Sequence, residues 1–328
     1  MMRASFGSAG VQVGIESELD WVSDLVSEGT AGELRPSDQA PAPLRVHVEA
    51  DRRAFPGGGW RYLSRGVWER RGEVILEDVC TTGFDLHVEA TAGQATFTYR
   101  WRPPRKSRIA SIALRSRFHL LARAALIQYP ALWWAGTQGH APLHASAVEC
   151  AHATPLVCAA GGVGRSTLLL GEVERGHRTT SDNLGVSDGG RMCGLLEPAR
   201  VTGGGGRRMP HGRREVAISD RAAALAPSCV VTLERGEGDR PELVPCSPES
   251  AARALVTSTY MAGELRRYWA FAAILAAGTG LGPSHPPVSD TASRLTSRLP
   301  CWTVLLGQEP GARLDDLLPR TEVETWAS

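Results

Sequence analysis

Lysine is almost missing from this chain: Lys106 stands alone among 36 lysines and arginines. Cationic chemistry elsewhere falls to arginine, whose planar fork is not equivalent to an ammonium at a tight anion site. Net charge is small as well, +1 with histidine neutral, which gives no global attraction for nucleic acid or a membrane. No apolar run approaches the roughly 18–20 residues of a membrane span, and Met1 to Gly14 carries no secretory apolar segment. The seven cysteines (80, 150, 158, 193, 229, 246 and 301) include no C-x-x-C pair and are odd in number. Reduced, buried thiols in a cytoplasmic protein are expected, rather than a disulfide framework or a zinc cluster. Internal repeats are absent too. What remains is a globular composition, 42% hydrophobic and 22% charged over 328 residues, enough for one large domain or two ordinary ones.

Along the chain, Val11 to Ser27 reads as a short strand and then a helix. Gly29 to Pro43 reads as a loop. Leu44 to Glu49, Val67 to Val79, Phe84 to Ala90 and Ala95 to Trp101 alternate with the period of strands, and Phe55 to Trp60 is a turn around Gly57-Gly58-Gly59. Residues up to about 105 therefore suggest a small α+β module rich in antiparallel strands. His47 and His87 lie on its strand faces among polar neighbours and read as surface histidines. Ile109 to Tyr129 spaces Ile112, Leu114, Phe118, Leu121, Ala125 and Leu126 for one apolar helix face, which Pro130 closes.

From about residue 140, strands and helices alternate as in an α/β nucleotide-binding domain. Leu143 to Val148 and Pro155 to Ala159 read as strands. The turn Gly161-Gly162-Val163-Gly164 follows, then Arg165, the hydroxyl pair Ser166 and Thr167, and a leucine-rich helix to Arg175 with Gly176 just past its end. A strand is expected over His177 to Val186, carrying Ser181-Asp182-Asn183. Gly203 to Arg214 has no core pattern and reads as a flexible basic loop. Ser228 to Glu234 and Pro300 to Leu306 are strands, Ser247 to Leu255 and Met261 to Ala277 helices, and Leu314 to Leu318 a final turn.

Strand, glycine turn and hydroxyl-bearing helix start are the parts of a phosphate-binding P-loop, in which backbone N–H groups and the helix dipole face an anion. Against G-x-x-x-x-G-K-[ST], Ala159 replaces the first glycine and Arg165 the lysine. Ala159 suits a strand residue; Arg165 changes the charge geometry.

The run Leu143 to Asn183 resembles the HPr kinase/phosphorylase superfamily, more closely its HprK-related serine kinase branch, whose core is similar to that of phosphoenolpyruvate carboxykinase. Four segments carry the resemblance: Leu143-His144-Ala145-Ser146-Ala147-Val148, Gly161 to Leu168, Glu174-Arg175-Gly176-His177-Arg178, and Ser181-Asp182-Asn183, where that family usually has two adjacent aspartates. Gly194 to Arg200 matches weakly. The resemblance implies an α/β fold: a P-loop core with a mixed sheet over 106–328, preceded by the α+β module of 1–105. It implies an ATP-dependent phosphotransferase with Mg²⁺, acting on a serine or other hydroxyl of a peptide or small molecule, in modified-peptide biosynthesis as one case. In that scheme Gly161, Gly162, Val163 and Gly164 surround the β-phosphate, Arg165 reaches the β- and γ-oxygens, and Ser166 serves the metal with Thr167 behind it. Asp182 acts on the acceptor hydroxyl or holds the metal region with Asn183, and His144 contacts phosphate. Arg200, Arg207, Arg208, Arg213 and Arg214 are further candidates for phosphate or acidic substrate. No nucleic-acid or membrane partner is expected, and a homo-oligomer is compatible with the family. Arg165 and Asn183 keep a second reading open, a degenerate relative that binds nucleotide or acts as a scaffold without turnover.

Overall fold

The structure is a computed structural model that describes residues 1–36, 42–55, 58–202, 205–209, 212–309 and 311–320. Parts of three expected loops lie outside the described residues: 37–41, the pair Pro56-Gly57, and Gly203, Gly204, Pro210 and His211 of the basic loop. The fold is mixed α/β with several sheets. Two compact units interleave along the chain, whereas the sequence suggests one break near residue 105. The first unit comprises Met1–Pro142, Leu195–Ala217 and Gly263–Pro287; the second comprises Leu143–Gly194, Ile218–Ala262 and the described part of Val288–Ser328.

In the first unit, nine strands form one sheet in the order 35–36, 2–8, 11–17, 44–49, 95–101, 84–90, 73–76, 67–70 and 61–64. Most neighbours are antiparallel, but Val11–Ser17, Leu44–Glu49 and Ala95–Trp101 run parallel. Period-two patterning explains the faces: Leu44, Val46 and Val48, and likewise Ala95, Phe97 and Tyr99, are all buried. Met2–Ser8 is a strand that the sequence reading omits; it forms a hairpin with Val11–Ser17 through Ala9 and Gly10, both at positive φ. On the sheet, Phe97 meets Trp133 at 5.6 Å between ring centroids, and Tyr99 donates to the Ala125 carbonyl at 2.6 Å.

The long helix expected from Ile109 to Tyr129 is broken. Helices span Arg105–Ala113 and Arg115–Arg123, a π-helical turn spans Ala124–Gln128, and Tyr129–Thr137 is helical again. Leu114 interrupts the first two with non-helical backbone, and Ile112 and Leu114 of the expected apolar face are exposed while Leu126 is buried. Pro130 does not close the helix. It lies in the first turn of Tyr129–Thr137, where a missing N–H is tolerated, directly after the widened π turn. Met261 to Ala277 is likewise divided: Pro248–Met261 ends one helix and Tyr268–Thr279 forms the next.

The basic segment after Thr202 is not a free loop where it is described. Ala199–Thr202, Arg207–Arg208 and Arg213–Val216 make a small antiparallel sheet. Carboxylates tie this small sheet down at two points. Arg207 pairs with Glu28, and Glu215 accepts from Arg123, with both Arg123 and Glu215 side chains 4% exposed. His119 Nδ1 lies 3.0 Å from Glu28, while Arg115 Nε donates to its Nε2 at 3.4 Å.

The second unit is built on a six-stranded mixed sheet in the order 178–179, 145–149, 155–159, 229–235, 301–306 and 242–245. Its core joins Val157, Ala159, Val231, Leu233 and Val304 to Leu168 and Leu169 of the helix Arg165–Glu174. A smaller antiparallel set pairs Met192–Gly194 with both Gly185–Ser187 and Ala224–Leu225. The strand expected over His177 to Val186 is therefore two pieces, Arg178–Thr179 and Gly185–Ser187. Between them Thr180 Oγ1 accepts from the Ala147 N–H, so hydroxyls replace part of the ladder. Among the described residues, no helix is long and apolar enough to cross a membrane.

Removing one member of a buried ion pair leaves the other charge stranded. Glu215→Ala is expected to cost about 3–5 kcal/mol in urea unfolding, and Arg123→Met with Glu215→Leu to recover most of it. Burial first, then the Arg115 and Arg123 charges, holds the His119 imidazole below its usual range. The unfolded chain then binds more protons near its ordinary value of about 6.5, so stability falls as pH drops through that value. Unfolding midpoints between pH 7.5 and 5.5 should fall more steeply for the native chain than for His119→Gln.

Candidate functional site

Three parallel strands of the second unit, Pro155–Ala159, Cys229–Arg235 and Cys301–Leu306, end at one sheet edge. Open α/β sheets bind ligands beyond the carboxyl ends of such strands. At that edge the chain turns from Ala159, still a strand residue, into the helix Arg165–Glu174. Gly162 and Gly164 take φ of 84° and 125°, backbone that side chains resist. Gly161 and Gly162 are exposed, and a Cβ built on either meets nothing within 4 Å. Gly164 is the helix N-cap, and no side chain caps the first turn. The N–H groups of Ser166 and Thr167 lie in the first turn of this helix start, where a helix supplies no acceptor of its own. Val163 and Ser166 are half-buried and Thr167 is exposed.

Arg165 does not reach over this turn. It is 7% exposed. Its Nη1 donates to the His144 carbonyl at 2.7 Å, and its Nη2 donates to Asn183 Oδ1 at 3.0 Å and to the Asn183 carbonyl at 3.2 Å. The same Nη2 lies 2.8 Å from His144 Nε2, which is itself 2.8 Å from Asn183 Oδ1. His144 occupies the break between the strands Ala141–Leu143 and Ala145–Glu149, and its backbone N–H donates to Thr259 Oγ1 at 3.0 Å. Asp182 is buried at 3% exposure, and Ser181 Oγ lies 3.2 Å from Ser146 Oγ.

The fold therefore gathers His144, Arg165 and Asn183, which lie far apart in sequence, into one hydrogen-bonded cluster behind the glycine turn, and Asp182 immediately precedes Asn183. The role expected of Arg165, a cation reaching phosphate oxygens, does not match its position in this conformation. A guanidinium bonded to one carbonyl on each of two segments acts as a brace. The arginine candidates from 200 to 214 belong to the first unit. There Arg200 pairs with Glu264, and Arg214 donates to the Gly206 carbonyl at 2.9 Å. Arg208 and Arg213 are exposed.

One cation at the turn has no role in the sequence reading. Arg235 Nη2 donates to the Gly162 carbonyl at 3.3 Å. The signal lies in the strand register: Ala159 faces Leu233, so Arg235 extends two residues past the end of the neighbouring strand, alongside the turn.

No family model matches the chain, and no curated protein matches it. Among solved structures, the Hpr(Ser) kinase/phosphatase from Coxiella burnetii aligns at a TM-score of 0.22 and 14% identity, over 29% of this chain and 65% of that one. The aligned part is thus less than two thirds of that chain's length, and a likeness of this size carries no argument about activity.

Arg165→Leu removes the donors that hold His144 and Asn183, and leaves buried acceptors unsatisfied at about 1–3 kcal/mol. Arg165→Lys is expected to recover less than half of this, because one ammonium cannot span both segments. Urea unfolding of the two variants checks it; native stability in Arg165→Leu would show that the brace bears no load.

Proposed function

We propose that the second unit binds the phosphates of a nucleotide at Gly161 to Thr167 and transfers phosphate to a hydroxyl. The open, uncapped glycine turn at the carboxyl edge of three parallel strands carries this reading. The uncapped N–H groups of Ser166 and Thr167, at the positive end of a helix dipole, suit a polyphosphate. The donor set fits ATP with Mg²⁺: the turn offers N–H groups to the phosphates, and Ser166 offers a hydroxyl to the metal. The metal would supply charge neutralisation at the transferring group. Arg235, beside the turn, is placed to add the mobile positive charge that Arg165 in its buried position does not. His144, Arg165 and Asn183 position the loop from behind. Asp182 would orient the acceptor hydroxyl, on a peptide or a small molecule; peptides encoded near this gene are the first acceptors to try.

A second reading, nucleotide binding without turnover, is favoured by a specific observation. Asp182 is closed off from solvent and Arg165 is committed to its brace. On this reading the anion cradle is retained, and the groups that would act on an acceptor are occupied.

Calorimetry should detect ATP or ADP binding with Mg²⁺, lost in Gly162→Val, whose side chain must take positive φ, and weakened several-fold in Arg235→Ala. No heat at millimolar nucleotide overturns both readings. If nucleotide binds, mass spectrometry of acceptor peptides incubated with ATP separates them. A phosphate mass gain abolished by Asp182→Ala supports the transferase. Binding without transfer, with activity appearing only in Arg165→Lys/Asn183→Asp, supports the binding protein.

A further inference from the structure

At the other end of the helix Arg165–Glu174 lies a cluster that the glycine turn does not use. Cys150 follows the strand Ala145–Glu149, Glu172 is in the helix's last turn, and His177 follows Gly176. Their ligand atoms all lie within 4.8 Å of one another. Glu172 is wholly buried at 0% exposure, and His177 is 17% exposed at its side chain. Glu172 Oε1 is satisfied: it accepts from the Leu314 N–H at 2.8 Å and faces Arg175 Nη1 at 3.4 Å. Its Oε2 is buried with no hydrogen-bond partner, and so is His177 Nδ1. These two atoms are 3.6 Å apart, too far for a hydrogen bond. The other imidazole nitrogen, Nε2, faces Asp315 Oδ2 at 3.3 Å. Asp315 Oδ1 in turn accepts from the Ala151 N–H at 2.9 Å.

Here the geometry points to a zinc-type divalent cation held by Cys150 Sγ, Glu172 Oε2 and His177 Nδ1, with Asp315 fixing the imidazole from behind. Tetrahedral zinc with bonds of about 2.0–2.3 Å separates its ligand atoms by roughly 3.3–3.8 Å, and the Glu172–His177 distance falls in that interval. A carboxylate on the second nitrogen of a ligating histidine is the usual outer partner, because it sets the tautomer and raises ligand basicity. A mixed thiolate, imidazole and carboxylate set suits zinc better than magnesium or calcium. Two buried acceptors turned toward each other leave a place that a cation fills, and the helix C-terminus adds negative potential there. Metal binding would exchange the Cys150 thiol proton for the S–metal bond and release the proton to solvent. The site ties three segments together around the helix end: the turn after Glu149, the helix-to-strand connection, and the short helix Leu314–Leu317. It stands independently of the nucleotide reading.

The full-length chain, stripped with chelator and titrated with Co²⁺, should bind one ion per chain. It should show thiolate-to-cobalt charge transfer and the strong visible bands of tetrahedral cobalt, displaced by Zn²⁺. Cys150→Ser should lose the charge-transfer band, although six other cysteines remain. Asp315→Asn should weaken zinc binding by about 10–100-fold with unchanged far-ultraviolet circular dichroism. No bound ion at micromolar free zinc, or a cobalt spectrum unaffected by Cys150→Ser, overturns the site and leaves Glu172 and His177 as a plain ion pair.

Discussion

The second unit depends on which way one guanidinium faces. A cation at the first position of a helix has two anionic environments within reach: a ligand beyond the helix start, or carbonyl and amide oxygens of the strands beneath it. Arg165 takes the second. Its contacts run to His144, just before one strand, and to Asn183, in the bend between two others. The turn Gly161 to Gly164 is thereby anchored from behind while its upper face stays open. A lysine could make one such contact but not this set, since its single nitrogen has no fork. Asn183 matters for the same reason. An aspartate there would add a full negative charge beside Arg165 and tighten the brace, whereas the amide oxygen accepts the same hydrogen bond without a second buried charge. Arg165 and Asn183, two of the three departures from the resembled pattern, are thus in direct contact.

Much of this was legible in sequence where chemistry and local pattern coincide. Short apolar runs before and after a glycine cluster gave the strand, turn and helix of the site, because glycine tolerance of positive φ is a local property. Arg165 was singled out by the glycine-turn pattern, and His144 and Asn183 by the family resemblance; the structure brings the three into one cluster. What spacing leaves out is direction: nothing in Gly164-Arg165-Ser166 says that the side chain folds back rather than forward. Arg235 was missed because its proximity to Gly162 comes from parallel pairing of strands some seventy residues apart. Pro130 misled because a helix-breaking residue is harmless in a first turn. The basic segment after Thr202 misled because Arg207 is met by Glu28, a carboxylate no local window contains.

Cysteine spacing is silent about the site proposed at the far end of the helix. The absence of C-x-x-C excludes compact zinc motifs, which bring two ligands from one turn. A site with one thiolate has no such signature, since its ligands converge only after the strand hairpin and the helix have packed. Cys150 and Glu172 are separated by the entire strand–turn–helix run that holds the glycine turn.

The two ends of the helix Arg165–Glu174 are thus electrically opposite, and so are the groups proposed for them. Its ten residues span about 15 Å. The uncapped N–H groups at the start favour an anion; the final carbonyls, with Glu172 beside them, favour a cation. Each dipole contribution is modest, about 0.3–1 kcal/mol at an exposed terminus, so neither end is specified by the dipole alone. Specificity comes from what surrounds it: backbone room with no Cβ at one end, and two unsatisfied buried acceptors next to a thiol at the other. A cation at the far end would also fix the helix-to-strand connection that leads, through Arg178–Thr179, to Asn183. The brace on Arg165 would then be held from both sides, by its own hydrogen bonds at the helix start and by ligation at the helix end.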